Sequence, residues 1–170
     1  MITVACWRDE GVVNAPRGID RFVAAARAIR GRRYVLVGRV TDPILAGGLA
    51  DPPPNLVVTG YVDDQKLREL LWSSGIYAQL SWHEGYGVSM VEAMQAGCRP
   101  VVTEVPALRE IAGPEAVLSR SPDDDVPAID RAARITADRG DLAAWAASVS
   151  SLDERAAGLG AALFAPASRS

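Results

Sequence analysis

The chain has 170 residues, 49% of them hydrophobic, with 18 Lys and Arg against 21 Asp and Glu and a formal net charge of -3. That length suits one ordinary domain with a sizeable core, and scattered basic residues under a net negative charge leave no electrostatic footprint for nucleic acid. No apolar stretch approaches the roughly 20 residues that span a bilayer, and the N-terminus lacks a charged-then-apolar leader pattern, so the expectation is a soluble, cytoplasmic protein.

In chain order, short apolar runs alternate with amphipathic helical patterns. A first strand is predicted over Ile2 to Trp7, then a helix with Ile19, Phe22, Val23, Ala26 and Ile29 on one face. Further strands are predicted at Tyr34 to Val37, Leu56 to Val58, Ile76 to Leu80, Val101 to Thr103 and Ala116 to Leu118. These runs are continuous rather than alternating, the pattern of a sheet covered on both faces. Asp51-Pro-Pro-Pro-Asn55 breaks any helix after Gly48 and reads as a surface connection. Helices are predicted around Leu67, Leu70 and Leu71 and from about Val126 to Ala137. After Asp141, Leu142, Trp145, Ala146 and Val149 form one helical stripe and Leu152, Ala156, Leu159 and Leu163 a second, both read as packing helices. The fold class is α/β, a doubly wound, Rossmann-like parallel sheet in one domain over residues 1–165, with a frayed tail at 166–170. In such sheets ligands bind at the carboxyl ends of the strands.

One segment at that edge combines several binding features: Glu84-Gly-Tyr-Gly-Val-Ser-Met-Val-Glu92, running on into Ala93-Met-Gln-Ala-Gly97-Cys-Arg-Pro-Val-Val102. A helix should start near Val88 or Ser89 and stop at Gly97. Gly85 and Gly87 permit tight turns and close approach of a ligand. The first-turn amides of Val88, Ser89 and Met90 lack intrahelical carbonyls and sit at the positive end of the helix dipole, where a phosphate is a natural partner. Glu92, about one turn in, can accept from a vicinal diol such as a ribose, while Glu84 lies ahead of the helix on the loop. Val88, Val91 and Met94 recur at helical spacing and are expected to face the sheet.

The two glutamates seven residues apart, with Val91-Glu-Ala-Met and Gly97-Cys-Arg-Pro-Val-Val behind them, resemble the signature of retaining glycosyltransferases of the GT-B fold, in particular family 4. Arg17-Gly-Ile-Asp-Arg-Phe, Tyr34-Val-Leu-Val-Gly38, Asn55 to Val62 and Pro106 to Ile111 with Glu110 fit the same family, in the order of its C-terminal, donor-binding half. The resemblance implies that Glu84 contacts the donor sugar, Glu92 the ribose hydroxyls, and the backbone at Gly87 to Met90 the diphosphate, with Gly85 among the donor-binding residues. It further implies that Arg17, in the family's lysine position, and Arg8 reach the diphosphate, and that the backbone at Tyr61 and Val62 lies against the base. Glu84 and Arg17 are the residues it gives catalytic roles. The substrate implied is a nucleoside-diphosphate sugar, with no cofactor and no metal. An acceptor-binding N-terminal half is expected on another chain or in a longer parent.

Other residues invite sharper readings than their surroundings support. Asp123-Asp-Asp125 precedes an apolar-periodic helix and is read as helix N-terminal charge rather than a metal site. Cys6 and Cys98 lack metal-ligand spacing and are read as free thiols. His83 adjoins Glu84 on the same loop, and Trp7 and Trp82, at predicted strand ends, are read as packing or rim residues. A non-catalytic nucleotide-sugar binding or regulatory module is the alternative function. A dinucleotide-dependent oxidoreductase is disfavoured, because the loop Arg8 to Gly18 carries no Gly-x-Gly-x-x-Gly.

Overall fold

The computed structural model describes residues 2–6, 18–38, 49–82, 87–135 and 138–150. Strands β1 (Ile2–Cys6), β2 (Arg33–Val37), β3 (Leu56–Gly60), β4 (Ile76–Gln79), β5 (Arg99–Thr103) and β6 (Val117–Ser119) form one sheet in the order β3-β2-β1-β4-β5-β6. Every pairing between them is parallel. Helices α1 (Ile19–Ala28), α2 (Asp64–Trp72), α3 (Val88–Gln95), α4 (Pro106–Ala112), α5 (Asp125–Arg134) and α6 (Arg139–Ser150) cover its faces. This is the doubly wound architecture the apolar pattern predicts, with strand order reversing between β1 and β4.

Two cores follow from the period-2 alternation of the strands. Tyr34, Leu36, Ile76, Ala78 and Val101 pack with Phe22, Ala26, Ile129 and Ala132 of α1 and α5. Their strand neighbours Val35, Val37, Tyr77 and Val102 pack instead with Leu71, Met90, Met94, Leu108 and Ala146 of the other four helices. β2, β4 and β5 can therefore be apolar at consecutive positions without wasting any of them.

β3 departs from the expected two-sided cover. Val57 and Val58 are 49% and 38% exposed, because β3 is the sheet's edge strand and only Leu56 reaches the core. Several strand ends shift by one or two residues from the predicted ones, and three differences have a physical reason. β5 begins at Arg99 and includes Pro100. β6 begins opposite Val101, so Pro100 sits where its strand pairs on the β4 side alone and its missing N–H leaves no gap on the β6 side. α5 runs from Asp125 to Arg134, with Ile135 extended, rather than to Ala137. α4 was not anticipated as a helix; its signal is Pro106 in the first turn after an extended Val105.

Side chains tie the helix ends together. The Arg139 Nη2 donates to the carbonyls of Trp72, Ser74 and Ala96 at 3.2, 2.9 and 3.1 Å, closing the C-terminal ends of α2 and α3 against the start of α6. Trp145 Nε1 donates to the Ile111 carbonyl at 2.9 Å. The Asn55 amide donates to the carbonyls of Ala26, Ile29 and Arg32, finishing α1. α6 buries Leu142 and Ala146 with Trp145 and Val149 alongside, the stripe read from sequence. The second stripe, Leu152 to Leu163, and the tail at 166–170 lie outside the described residues.

Burial pushes the Tyr34 hydroxyl and the Cys98 thiol each up to about 12. The unfolded chain releases these protons near 10.0 and 9.0, so between about 9 and 12 the folded state binds more protons than the unfolded one. Their contribution is fully present below pH 9 and falls as pH rises through that window. Denaturant midpoints measured from pH 8 to 11 should decline, and decline less steeply in Cys98→Ala; a parallel slope in that variant would contradict the assignment.

Candidate functional site

The carboxyl ends of β1 and β4 mark the point where strand order reverses, and the helix that follows each of these strands starts from a glycine in left-handed backbone. Gly18, the N-cap of α1, has φ 78°. A Cβ there would lie 2.2 Å from the Leu80 carbonyl oxygen and 2.9 Å from Ser81 N. Only glycine lets the start of α1 rest directly on the end of β4. Gly87, the N-cap of α3, has φ 58° and is buried, with Met90 Cε and Ile111 Cδ1 within 3.2 and 3.3 Å of where a Cβ would stand.

Among the described residues no side chain caps α3. The Met90 and Val91 N–H groups donate to the Gly87 carbonyl at 2.9 and 3.0 Å. Met90 is therefore withdrawn from the expected set of open amides, because the first turn tightens onto Gly87. Val88 and Ser89 keep first-turn amides with no carbonyl or capping partner among the described residues. An anion at this end would meet two N–H groups and the positive end of the helix dipole. At the other end the helix stops as predicted, with Gly97 N–H donating to Met94 O and Cys98 N–H to Ala93 O, a Schellman closure.

The buried face of α3 is Met90, Val91, Ala93 and Met94. Val88, expected to face the sheet, is instead 50% exposed. At about 100° per residue it falls well away from the centre of that face, and on the same side as Glu92 four residues later. Glu92 is half-buried, so Val88 and Glu92 line the accessible side of the helix just behind the open amides.

Tyr61 and Val62 follow β3 at the same edge but on the outermost strand, three positions from β4. Tyr61 is 76% exposed, and Val62 packs partly against the α2 and α3 side of the sheet. The Gly38 N–H donates to the Gly60 carbonyl at 2.9 Å, joining the ends of β2 and β3 beside them. Arg8, Arg17, Glu84 and Gly85 lie outside the described residues, as do Trp7 and His83.

Sequence reasoning missed a charged cluster at this edge. Arg21, buried on α1, donates through Nε to Asp125 Oδ2 at 2.7 Å and through Nη2 to Oδ1 at 2.5 Å. Its Nη1 donates to the Leu80 carbonyl at 2.8 Å and Thr103 Oγ1 at 2.9 Å, and the Trp82 ring lies 4.9 Å from the guanidinium carbon. Ser119 Oγ completes the set with a 2.6 Å bond to Asp125 Oδ1. The acidic run before α5 is thus not uniform helix-terminal charge. Asp125 is the buried partner of Arg21, while Asp124 accepts from Arg131 and from the Arg120 N–H, which together hold its carboxyl below the usual range. A signal was present: Arg21 and Asp125 each fall in helical register with buried residues, Ala25 and Ile129 respectively.

Residues 11–152 match the family described as glycosyl transferases group 1. The chain belongs to that family. Among curated proteins, this group 1 chain is 38% identical over 48 residues to GDP-mannose:cellobiosyl-diphosphopolyprenol alpha-mannosyltransferase of Xanthomonas oryzae pv. oryzae, a stretch covering 28% of the chain and 13% of that enzyme. The structure resembles the C-terminal domain of a glycosyl transferase group 1 protein from Francisella tularensis, with TM-score 0.63, 18% identity, and 87% and 82% of the two chains covered. It also resembles a glycosyltransferase of avilamycin A biosynthesis, with TM-score 0.68 and 19% identity over 97% of this chain. The group 1 chain spans 52% of that enzyme's length. These likenesses establish the fold as that of GT-B C-terminal domains. No helix among the described residues is long and apolar enough to cross a membrane.

Gly18→Ala should lower stability by about 2–4 kcal/mol, since it combines a left-handed φ with a backbone collision. Gly31 has open space around it. Gly31→Ala is therefore the matched control, expected to melt within a degree or two of wild type; equal melting temperatures for both variants would contradict the close approach at Leu80.

Proposed function

We propose that this chain is the donor-binding half of a metal-independent, retaining glycosyltransferase of family 4, taking a nucleoside-diphosphate sugar. The observation that carries the reading is the start of α3 at the strand-order reversal, where among the described residues nothing caps the Val88 and Ser89 amides and Glu92 stands one turn behind them, in a group 1 glycosyltransferase chain. Val88 and Ser89 N–H groups would hold the diphosphate, Glu92 would accept from the ribose hydroxyls, and Tyr61 and Val62 would border the base. Arg17, assisted by Arg8, and the α3 amides would stabilise charge developing on the leaving diphosphate, the term on which such transfers depend most. Glu84 would hold the sugar. The acceptor hydroxyl must be brought to the anomeric carbon and water excluded, which is the expected work of an N-terminal acceptor-binding half. A non-catalytic nucleotide-sugar binding or regulatory module is the second reading. The mannosyltransferase relative puts GDP-mannose first among donors to test.

Calorimetric titration with UDP, GDP, ADP and GDP-mannose should show saturable binding of one nucleotide. Glu92→Ala and Arg17→Ala should each weaken it about ten-fold or more, as expected for losing a hydrogen bond to a charged group. Binding untouched by both substitutions, or none by a folded chain, would overturn the donor-site reading.

A further inference from the structure

We propose that Arg21 is a positioning residue of this site, acting through the Leu80 carbonyl and the Trp82 ring to set the direction in which the chain leaves β4 toward Glu84. The proposal rests on the donor-site reading for its consequence, though not for its geometry.

Arg21 spends its five donors on the C-terminal edge of the sheet. One nitrogen takes the Leu80 carbonyl at the end of β4 and the Thr103 hydroxyl at the end of β5, and another reaches toward Ser119 of β6 at 3.4 Å. The remaining bonds engage both oxygens of Asp125 at the start of α5. Three strand ends and two helix starts therefore meet on one planar group. Gly18 rests on the same Leu80 carbonyl that Arg21 holds. The segment following Arg17 and the segment leading to Glu84 are thus registered against a single oxygen atom.

A purely architectural role would not require charge. A buried ion pair contributes little net stability relative to apolar side chains of similar volume, because desolvation consumes most of the attraction. Apolar replacements would fill the space yet leave the Leu80 carbonyl free to turn, and would remove the guanidinium plane against which Trp82 lies. Trp82 is 41% exposed, and its ring lies over the guanidinium with 4.9 Å between the Arg21 Cζ and the ring centroid. What the pair adds is direction at the exit of β4, and small misplacements of a binding group are costly in affinity and rate.

The double variant Arg21→Met, Asp125→Leu in the full chain separates these roles. A cooperative melt establishes that it folds; if it does not, Arg21→Lys, which keeps the charge and loses the fork, carries the same measurements. The readouts are the indole N–H resonance of Trp82, identified by its loss in Trp82→Phe, and the titration with GDP, UDP and ADP. The Trp145 indole, bonded to the Ile111 carbonyl on the opposite face, serves as internal control. In the folded variant the Trp82 resonance should shift and broaden, the Trp145 resonance should hold, and the nucleotide Kd should rise about ten-fold or more. A Trp82 resonance unmoved in a folded variant overturns the proposal, as does an unchanged Kd. If the wild-type chain binds no nucleotide, the donor-site reading fails and the Trp82 resonance alone decides whether Arg21 positions this edge.

Discussion

A guanidinium placed inside a protein is costly unless its donors find acceptors, and at Arg21 that requirement organises one whole edge of the sheet. Its ring of partners joins α1, β4, β5, β6 and α5, elements far apart in the chain. Removing either charge alone would strand the other in a low-dielectric setting, a loss on the order of 3–5 kcal/mol in comparable pairs. The planar fork meets Asp125 with two parallel bonds, a geometry an ammonium cannot reproduce. The carboxyl ends of the strands are thereby held in fixed relation, and the site built on them inherits that relation.

The opposite edge is held by different means. Arg139 gathers the last carbonyls of α2 and α3, and Asn55 those of α1. These bonds satisfy helix-end groups that would otherwise be unpaired, and they tie each helix to the next turn of the chain. Between the two edges the cores are apolar, with Tyr34 held against Phe22 edge to face on one side and Tyr77, Met90 and Met94 filling the other. Rigidity below the sheet's carboxyl edge is what allows loops above it to present backbone amides in a set direction.

The candidate site uses the fold's own weakness. A doubly wound sheet leaves a crevice where its crossovers diverge, and the start of a helix there has amides with no internal partner. At α3 the residue that could have capped them is Gly87, which has no side chain to offer. The helix is closed at its far end by Gly97, while at its near end no described residue caps the Val88 and Ser89 amides, an asymmetry suited to an anionic ligand.

The apolar periodicities, the turn glycines and the two glutamates flanking Gly87 were readable from sequence because each is a local pattern: alternating strands and helices, their chain order, the stop at Gly97 and the family all follow from residues within a turn or two of one another. What stayed hidden was set by contacts across the chain. Val88 was counted with the sheet-facing residues because its spacing from Val91 is helical, yet only the docking of α3 through Met90, Ala93 and Met94 decides which side is inward. β3 reads like its neighbours, but its edge position leaves Val57 and Val58 uncovered. Asp125 looked like one of three equivalent aspartates until α1 brought Arg21 to it from 104 residues away. Periodicity specifies which faces are apolar; it carries no information about which distant charge will share a buried position, and only the packed tertiary structure made that choice.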